Sequence, residues 1–283
     1  MPSDIGSWAR TIERYEEIPE VFKKYYNENF PNLDSFLMGI CAPADRWGSK
    51  RTNEKLILLY DDKVIFFERI KNKVEAILYP IQNISYIENG SILLYSWIKI
   101  SGIVNGETKS FVVEYNTVVD DMFKAVIDKL RTSLCNIEVL SGKKESYSFD
   151  CLCAINFKFM NYAKRAILNG EEVINFLYQP EIKVPYLKFF RKVKCSSHMI
   201  IYTDKELIIL KEEDINSTKT TKYGGIWIYI PINKVLNVSV DETEDGYLNL
   251  NITVYGSEVF KLVFECSQKE DLEKLINQIS KNL

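Results

Sequence analysis

The chain has 283 residues but a single histidine, His198, and no apolar run near the roughly 18 residues that span a bilayer. One imidazole excludes metal or acid–base chemistry built on paired histidines. Glycine (12) and proline (8) are sparse. Gly224-Gly225 lacks the Lys-Ser/Thr that completes a phosphate-cradling loop. The six cysteines are Cys41, Cys135, Cys151, Cys153, Cys195 and Cys266, and only Cys151 and Cys153 are near neighbours. Structural zinc needs tighter Cys or Cys/His clusters, so these thiols read as small core hydrophobes of a reducing compartment. Excess charge is also missing. Lys and Arg number 36 against 39 Asp and Glu, a net −3, which argues against a general nucleic-acid binder. Residues 1–14 have no basic start followed by an apolar block, so no signal peptide is expected. The expected location is cytoplasmic, at most peripheral to a membrane, and no cofactor or metal is expected.

What is present points to strands. Apolar content is 46%, and the 17 Tyr and 15 Phe stand among many Ile and Val. Leu56–Tyr60 and Val64–Phe67 flank Asp61-Asp62-Lys63 as a hairpin. Asn105-Gly106 is the strongest turn signal, because both positions favour positive φ. Asn89-Gly90 is read as a second turn. Pro80 and Pro231 each interrupt a strand pattern. A helix is expected over Asp4–Glu17, with Ile5, Trp8, Ile12 and Tyr15 on one face. A second is expected from Pro19 to Phe30, as core or packing surface. Ala44–Asn53 reads as a polar loop, and Leu187–Val193 as a strand. Phe123, Val126, Ile127 and Leu130 stripe one helix face. Leu272, Leu275, Ile276 and Ile279 stripe another.

These features repeat in order. Phe22, Tyr25, Asn32 and Pro43 correspond to Phe159, Tyr162, Asn169 and Pro180. Asp61 and Val64 correspond to Asp204 and Leu207, and Pro80-Ile81 to Pro231-Ile232. The helix stripes also match. The order never inverts, and the spacing changes only at polar loops, which is the pattern of a duplicated domain. The expected division is 1–31 as an N-terminal helical segment, 32–133 as a first domain, 134–150 as a linker, and 151–283 as a second domain with a leading helix.

About seven short antiparallel strands followed by one amphipathic helix make each half. Leu168-Asn169-Gly170-Glu171-Glu172-Val173, Tyr202-Thr203-Asp204-Lys205-Glu206-Leu207-Ile208 and Ile230-Pro231-Ile232 resemble segments of the bacterial pleckstrin-homology-like (PH-like) domains. The resemblance covers about Asn169–Ile279, and the first half joins it through the repeat. It implies a mainly β (α+β) chain of two PH-like barrels, with extra helices before each. That fold hosts many functions, so the resemblance implies architecture rather than activity.

The basic stretch Lys183, Lys188, Arg191, Lys192 and Lys194, interleaved with aromatics, is the candidate surface for an anionic ligand or membrane. From Lys158 to Lys194 there are eight basic and three acidic residues, a balance of +5. Arg46, Lys50 and Arg51 form a thinner counterpart beside Trp47. The alternative is a solvated strand whose lysines protect a sheet edge. Asp241–Gly246 begins like a calcium loop but has Thr243 at the third position and Ile252 at the twelfth, so it reads as an acidic turn. A Ser–His pairing at Ser196, Ser197 and His198 lacks a third orienting group. The resulting expectation is a non-enzymatic binding or scaffold protein recognising a protein or peptide partner, or a second copy of itself. The alternatives are a peripheral module binding anionic lipid through Lys183–Lys194, and an enzyme using His198.

Overall fold

A computed structural model of the chain describes residues 8–31, 33, 35–47, 50–137, 149–186, 190–212 and 223–283; for Trp47, Lys50, Tyr186 and Phe190 it describes the backbone only. The expected linker therefore lies mostly outside the described residues, as do Lys188, Asn32 and the start of the expected first helix. The protein is mainly β, with several antiparallel sheets and a few helices. Among the described residues no sheet closes into a barrel. Two compact units are present: Met1–Ile87 with Leu93–Leu134, and Glu88–Ile92 with Cys135–Leu283.

The first unit contains β1 (Arg10–Ile12), α1 (Glu20–Asn29), β2 (Met38–Ala42), β3 (Arg46–Trp47), β4 (Lys50–Arg51), β5 (Glu54–Leu59), β6 (Lys63–Ile70) and β7 (Lys73–Pro80). Then come β8 (Ile84–Ile92), β9 (Tyr95–Val104), β10 (Glu107–Asn116) and α2 (Asp120–Cys135). One sheet has the order β1-β2-β5-β6-β7. Leu56, Leu58, Ile65 and Phe67 on one face of β5 and β6 bury against Phe22 and Tyr26 of α1. The other face of β5 carries Lys55, whose ammonium meets Glu114 of β10 at 2.8 Å with both side chains buried. Burying apolar side chains of this size stabilises by about 1.5–3 kcal/mol each, which overrides the weak helix propensity of the aromatic-rich α1.

The second unit contains α3 (Phe157–Ala166), β11 (Val173–Gln179), β12 (Ile182–Tyr186), β13 (Phe190–Cys195), β14 (His198–Thr203), β15 (Glu206–Lys211) and β16 (Gly224–Pro231). They are followed by β17 (Val235–Glu242), β18 (Tyr247–Val254), β19 (Val259–Glu265) and α4 (Lys269–Ser280). Strands β16, β15, β14 and β11 are consecutive neighbours, β12 and β13 form a separate two-stranded ribbon, and β17-β18-β19 form a three-stranded sheet. Leu272, Leu275 and Ile279 of α4 are fully buried.

From α1 and α3 onward the order of elements is the same in both units, and several local details match. Lys63 lies opposite Pro80, and Glu206 opposite Pro231. After each proline the chain makes a single 3-10 turn, Ile81–Asn83 and Ile232–Lys234. The Ile81 amide donates to the Asp62 carbonyl and the Ile232 amide to the Lys205 carbonyl, each at 2.8 Å. A proline cannot donate to the ladder, so the strand ends there and the next amide makes the closing bond.

Four sequence expectations are corrected. Arg10–Ile12 is a strand paired with Gly39–Cys41, not part of a helix. The open edge of β2 supplies ladder bonds, which a short stretch containing Thr11 and Ile12 takes in preference to a helical turn. Ala44–Asn53 holds the β3–β4 pair rather than loop alone. Asn89-Gly90 runs inside β8, and the turn falls at Leu93-Leu94 with Leu93 at φ 56°. The strand expected from Leu187 to Val193 is replaced by the β12–β13 hairpin, whose tip, 187–189, lies outside the described residues. Elsewhere the reading matches: Asn105 (φ 54°) and Gly106 (φ 81°) make the β9–β10 turn, α2 and α4 lie where the stripes placed them, α1 falls within Pro19–Phe30, and α3 is the leading helix of the second domain.

Candidate functional site

The basic residues sit on the two short ribbons, β3–β4 and β12–β13, each inserted after the strand that opens its unit's main run (β2 and β11). In the second unit, the pairs Lys183↔Val193, Val184↔Lys192 and Pro185↔Arg191 set the faces. Directly opposite residues share a face and neighbours alternate, so Lys183 and Arg191 lie on one face and Lys192 on the other. Two of the five cations are committed within the unit. Lys183 pairs with Glu181 at 2.7 Å. Lys194 pairs with Asp245 and stands 4.3 Å above the Tyr247 ring. That ammonium holds the Asp245 carboxyl below the usual carboxylate range, helped by the Thr243 hydroxyl. Arg191 and Lys192 are exposed, and among the described residues neither has a carboxylate within ion-pair distance. Lys188 lies outside the described residues.

In the first unit Arg46 and Arg51 are directly opposite each other, and both are exposed. Trp47 faces Lys50 in the same register, by backbone alone. The turn is fastened at its base, where the Asp45 amide donates to the Thr52 hydroxyl at 2.8 Å and the Thr52 amide to the Asp45 carbonyl at 2.9 Å. So the structure does not gather the basic residues of either stretch onto one face.

His198 is buried in β14. Its Nδ1 lies 3.0 Å from the Ser196 main-chain carbonyl and 3.5 Å from the Cys195 thiol, and its ring meets Phe264 edge-on at 4.9 Å. A ring N–H donating to a carbonyl fixes one tautomer. The nitrogen meets the Ser196 backbone and not its hydroxyl, so this is not the geometry of a serine nucleophile and its base. At the acidic turn, Asp241 accepts hydrogen bonds from Asn249 (2.8 Å) and Asn251, which hold its carboxyl below the usual range. Among the described residues no group of three or more His, Cys, Asp or Glu could hold a metal ion.

Two other features bear on binding: an exposed sheet edge was expected of the PH-like fold but not located in the sequence, and the clefts were not foreseen. The first is a free sheet edge. Among the described residues β17 pairs with β18 alone, and α4 packs against it, with Lys269 3.8 Å from Glu242. Leu236 is the bulged residue of β17 and is 55% exposed. A strand beyond Pro231 was legible, but that its far side has no strand partner among the described residues was not. The second is a pair of clefts in the first unit. One, of 360 Å³, is lined by Trp8, Asp45, Glu114 and Asn116 among others. The other, of 510 Å³, lies between the segment before α1 and the aromatic side of that helix. Among the described residues no helix is long and apolar enough to cross a membrane.

No protein-family model matches the chain, and no curated protein matches it.

Proposed function

We propose that the chain is a non-enzymatic binding protein, made of two PH-like units in tandem, that captures an extended segment of a partner protein along β17. The shared order of elements supports the tandem reading, as does the repeated proline, 3-10 turn and closing amide bond in each unit. The PH-like reading rests on that order: four strands, three strands, then one helix, with a ribbon inserted after the first strand.

The observation that carries the function is the edge of β17. An edge strand presents unpaired N–H and C=O groups that a second chain can bond, and alternate side chains give selectivity. The bulge between Val235 and Asn237 interrupts the ladder, so the usable edge is 237–242. Val238 is buried, whereas Asn237 and Ser239 are exposed, so the strand has a firm inner face and a polar outer one.

The second reading is an anionic membrane surface, favoured by a cationic ribbon at the same place in each unit. Its magnitude is small. Each Lys or Arg near an anionic surface contributes about 1 kcal/mol, so Arg191 and Lys192 together supply about 2 kcal/mol. That is roughly a thirtyfold enrichment, short of stable attachment. Peptides selected against the full chain from a random displayed library test the proposal. Selected peptides that slow amide hydrogen exchange within 237–242 support it, while peptides that bind without protecting any of these amides overturn it.

A further inference from the structure

The larger cleft of the first unit has the chemistry of an ammonium site. It is lined by Tyr15, Tyr26 and Phe36 together with Glu13, Arg14 and Glu16. The rings are held in place. Tyr15 and Tyr26 have centroids 5.7 Å apart, and the Tyr15 hydroxyl donates to the Asn27 side chain at 2.8 Å. The buried Tyr26 and Tyr60 hydroxyls share a hydrogen bond of 3.1 Å, and Phe36 meets Tyr60 edge-on at 6.4 Å. Tyr15 is the most exposed of the three at 38%, while Tyr26 and Phe36 line the cleft from largely buried positions; aromatic groups fixed in this way cost little ordering when a ligand arrives.

The charges around the cleft also favour a cation. Arg14 is paired with Glu17 at 3.3 Å, and Lys23 with Glu20 at 2.7 Å. Glu13 and Glu16 are exposed, and among the described residues neither has a base within ion-pair distance. The Lys23 ammonium stands 5.8 Å from the Tyr15 ring centroid, so one face of this ring already meets a cation. A lining of aromatics and carboxylates suits a methylated ammonium. Its charge is spread over methyl groups that are cheap to strip of water, and its attraction to the rings survives where a bare ammonium would stay hydrated.

The geometry points to a binding site for a methylated ammonium group between the Tyr15 segment and α1. It is independent of the β17 proposal and lies in the other unit. The test is a ligand-observed NMR titration of the full chain with tetramethylammonium, set against a neutral alcohol bearing the same tert-butyl shape. The expected result is that the cation binds about tenfold tighter than the neutral isostere, the size of one desolvated cation–π contact. Tyr15→Leu and Glu16→Gln should each weaken the cation, and Glu16→Gln, whose carboxylate has no ion-pair partner among the described residues, should do so with the thermal unfolding curve unchanged. Choline and a peptide bearing trimethyllysine then separate a free small molecule from a modified protein as the source, and binding by either supports the site. Equal affinity for the neutral isostere overturns the proposal. So does unchanged binding in both variants, or no binding of tetramethylammonium.

Discussion

Lys55→Met is the most informative perturbation of the first unit. The Lys55 ammonium lies 2.8 Å from Glu114, 2.6 Å from the Val112 carbonyl and 3.8 Å from Glu68, with 8% of its side chain exposed. Glu114 has 5% of its side chain exposed. Methionine keeps most of the alkyl packing but leaves the Glu114 carboxylate buried without this partner and the Val112 carbonyl without this donor. Breaking a buried pair from one side costs about 3–5 kcal/mol, because the remaining charge keeps its desolvation penalty. Replacing both partners, Lys55→Met with Glu114→Leu, removes that penalty, so the double variant should recover most of the loss. Lys124→Ala is the control. Its ion pair with Asp128 at 2.6 Å is an i,i+4 surface pair, worth no more than about 0.5 kcal/mol. Urea unfolding followed by far-UV circular dichroism reads all four proteins. A cost below about 1 kcal/mol for Lys55→Met, or a double variant no better than the single one, would refute the buried-charge argument.

Other positions test the account more locally. Tyr79 is fully buried and its hydroxyl has no hydrogen-bond partner among the described residues. Tyr79→Phe should therefore raise stability at pH 7 by about 1 kcal/mol in the same urea assay. Burial pushes the Tyr79 phenol up to about 12, while a phenol in the unfolded chain ionises near 10. Its contribution is thus complete below about pH 10 and lost as the pH rises towards 12, a fall of about 3 kcal/mol that Tyr79→Phe should remove from the alkaline unfolding profile. At the β9–β10 turn a Cβ on Gly106 would meet nothing, so Gly106→Ala should cost only the backbone penalty of φ 81°, about 1 kcal/mol. Gly102→Ala should cost more, because its Cβ would fall 2.4 Å from the Asn83 carbonyl, and thermal unfolding should separate the two. Leu93→Asn, at an exposed leucine with φ 56°, should stabilise, because asparagine tolerates that conformation better. Sedimentation with anionic vesicles should show only weak, salt-sensitive binding that Arg191→Gln with Lys192→Gln abolishes; strong binding at low salt that is lost both in high salt and in this double variant would favour the membrane reading instead.

Much of the fold was legible because its signals are local. The Asn105-Gly106 turn, the stripe of Phe123, Val126, Ile127 and Leu130, and the two proline-ended strands are each set by a few neighbouring residues. The errors fell where distant partners decide. Thr11 and Ile12 joined β2 because its edge was open, which no helical periodicity announces. Asn89-Gly90 looks like a turn by composition, yet the ladder carries the chain through it to a strained leucine. The candidate surfaces divided in the same way. The basic run was visible as a run, but Asp245, which commits Lys194, lies 51 residues further along the chain, while Glu181, which commits Lys183, is only two residues before it. Glu114 lies 59 residues from Lys55 along the chain, and no spacing rule connects them. The cleft at Tyr15 assembles from three separate segments, so its aromatics read singly as core.

The most direct test of the central claim is amide hydrogen exchange across β17 with and without a selected peptide. The account predicts that alternate amides within 237–242, those on the side away from β18, exchange fast in the free protein and become protected when the peptide adds as a strand. Full protection of these amides before any peptide is added, or protection appearing only elsewhere, would contradict it.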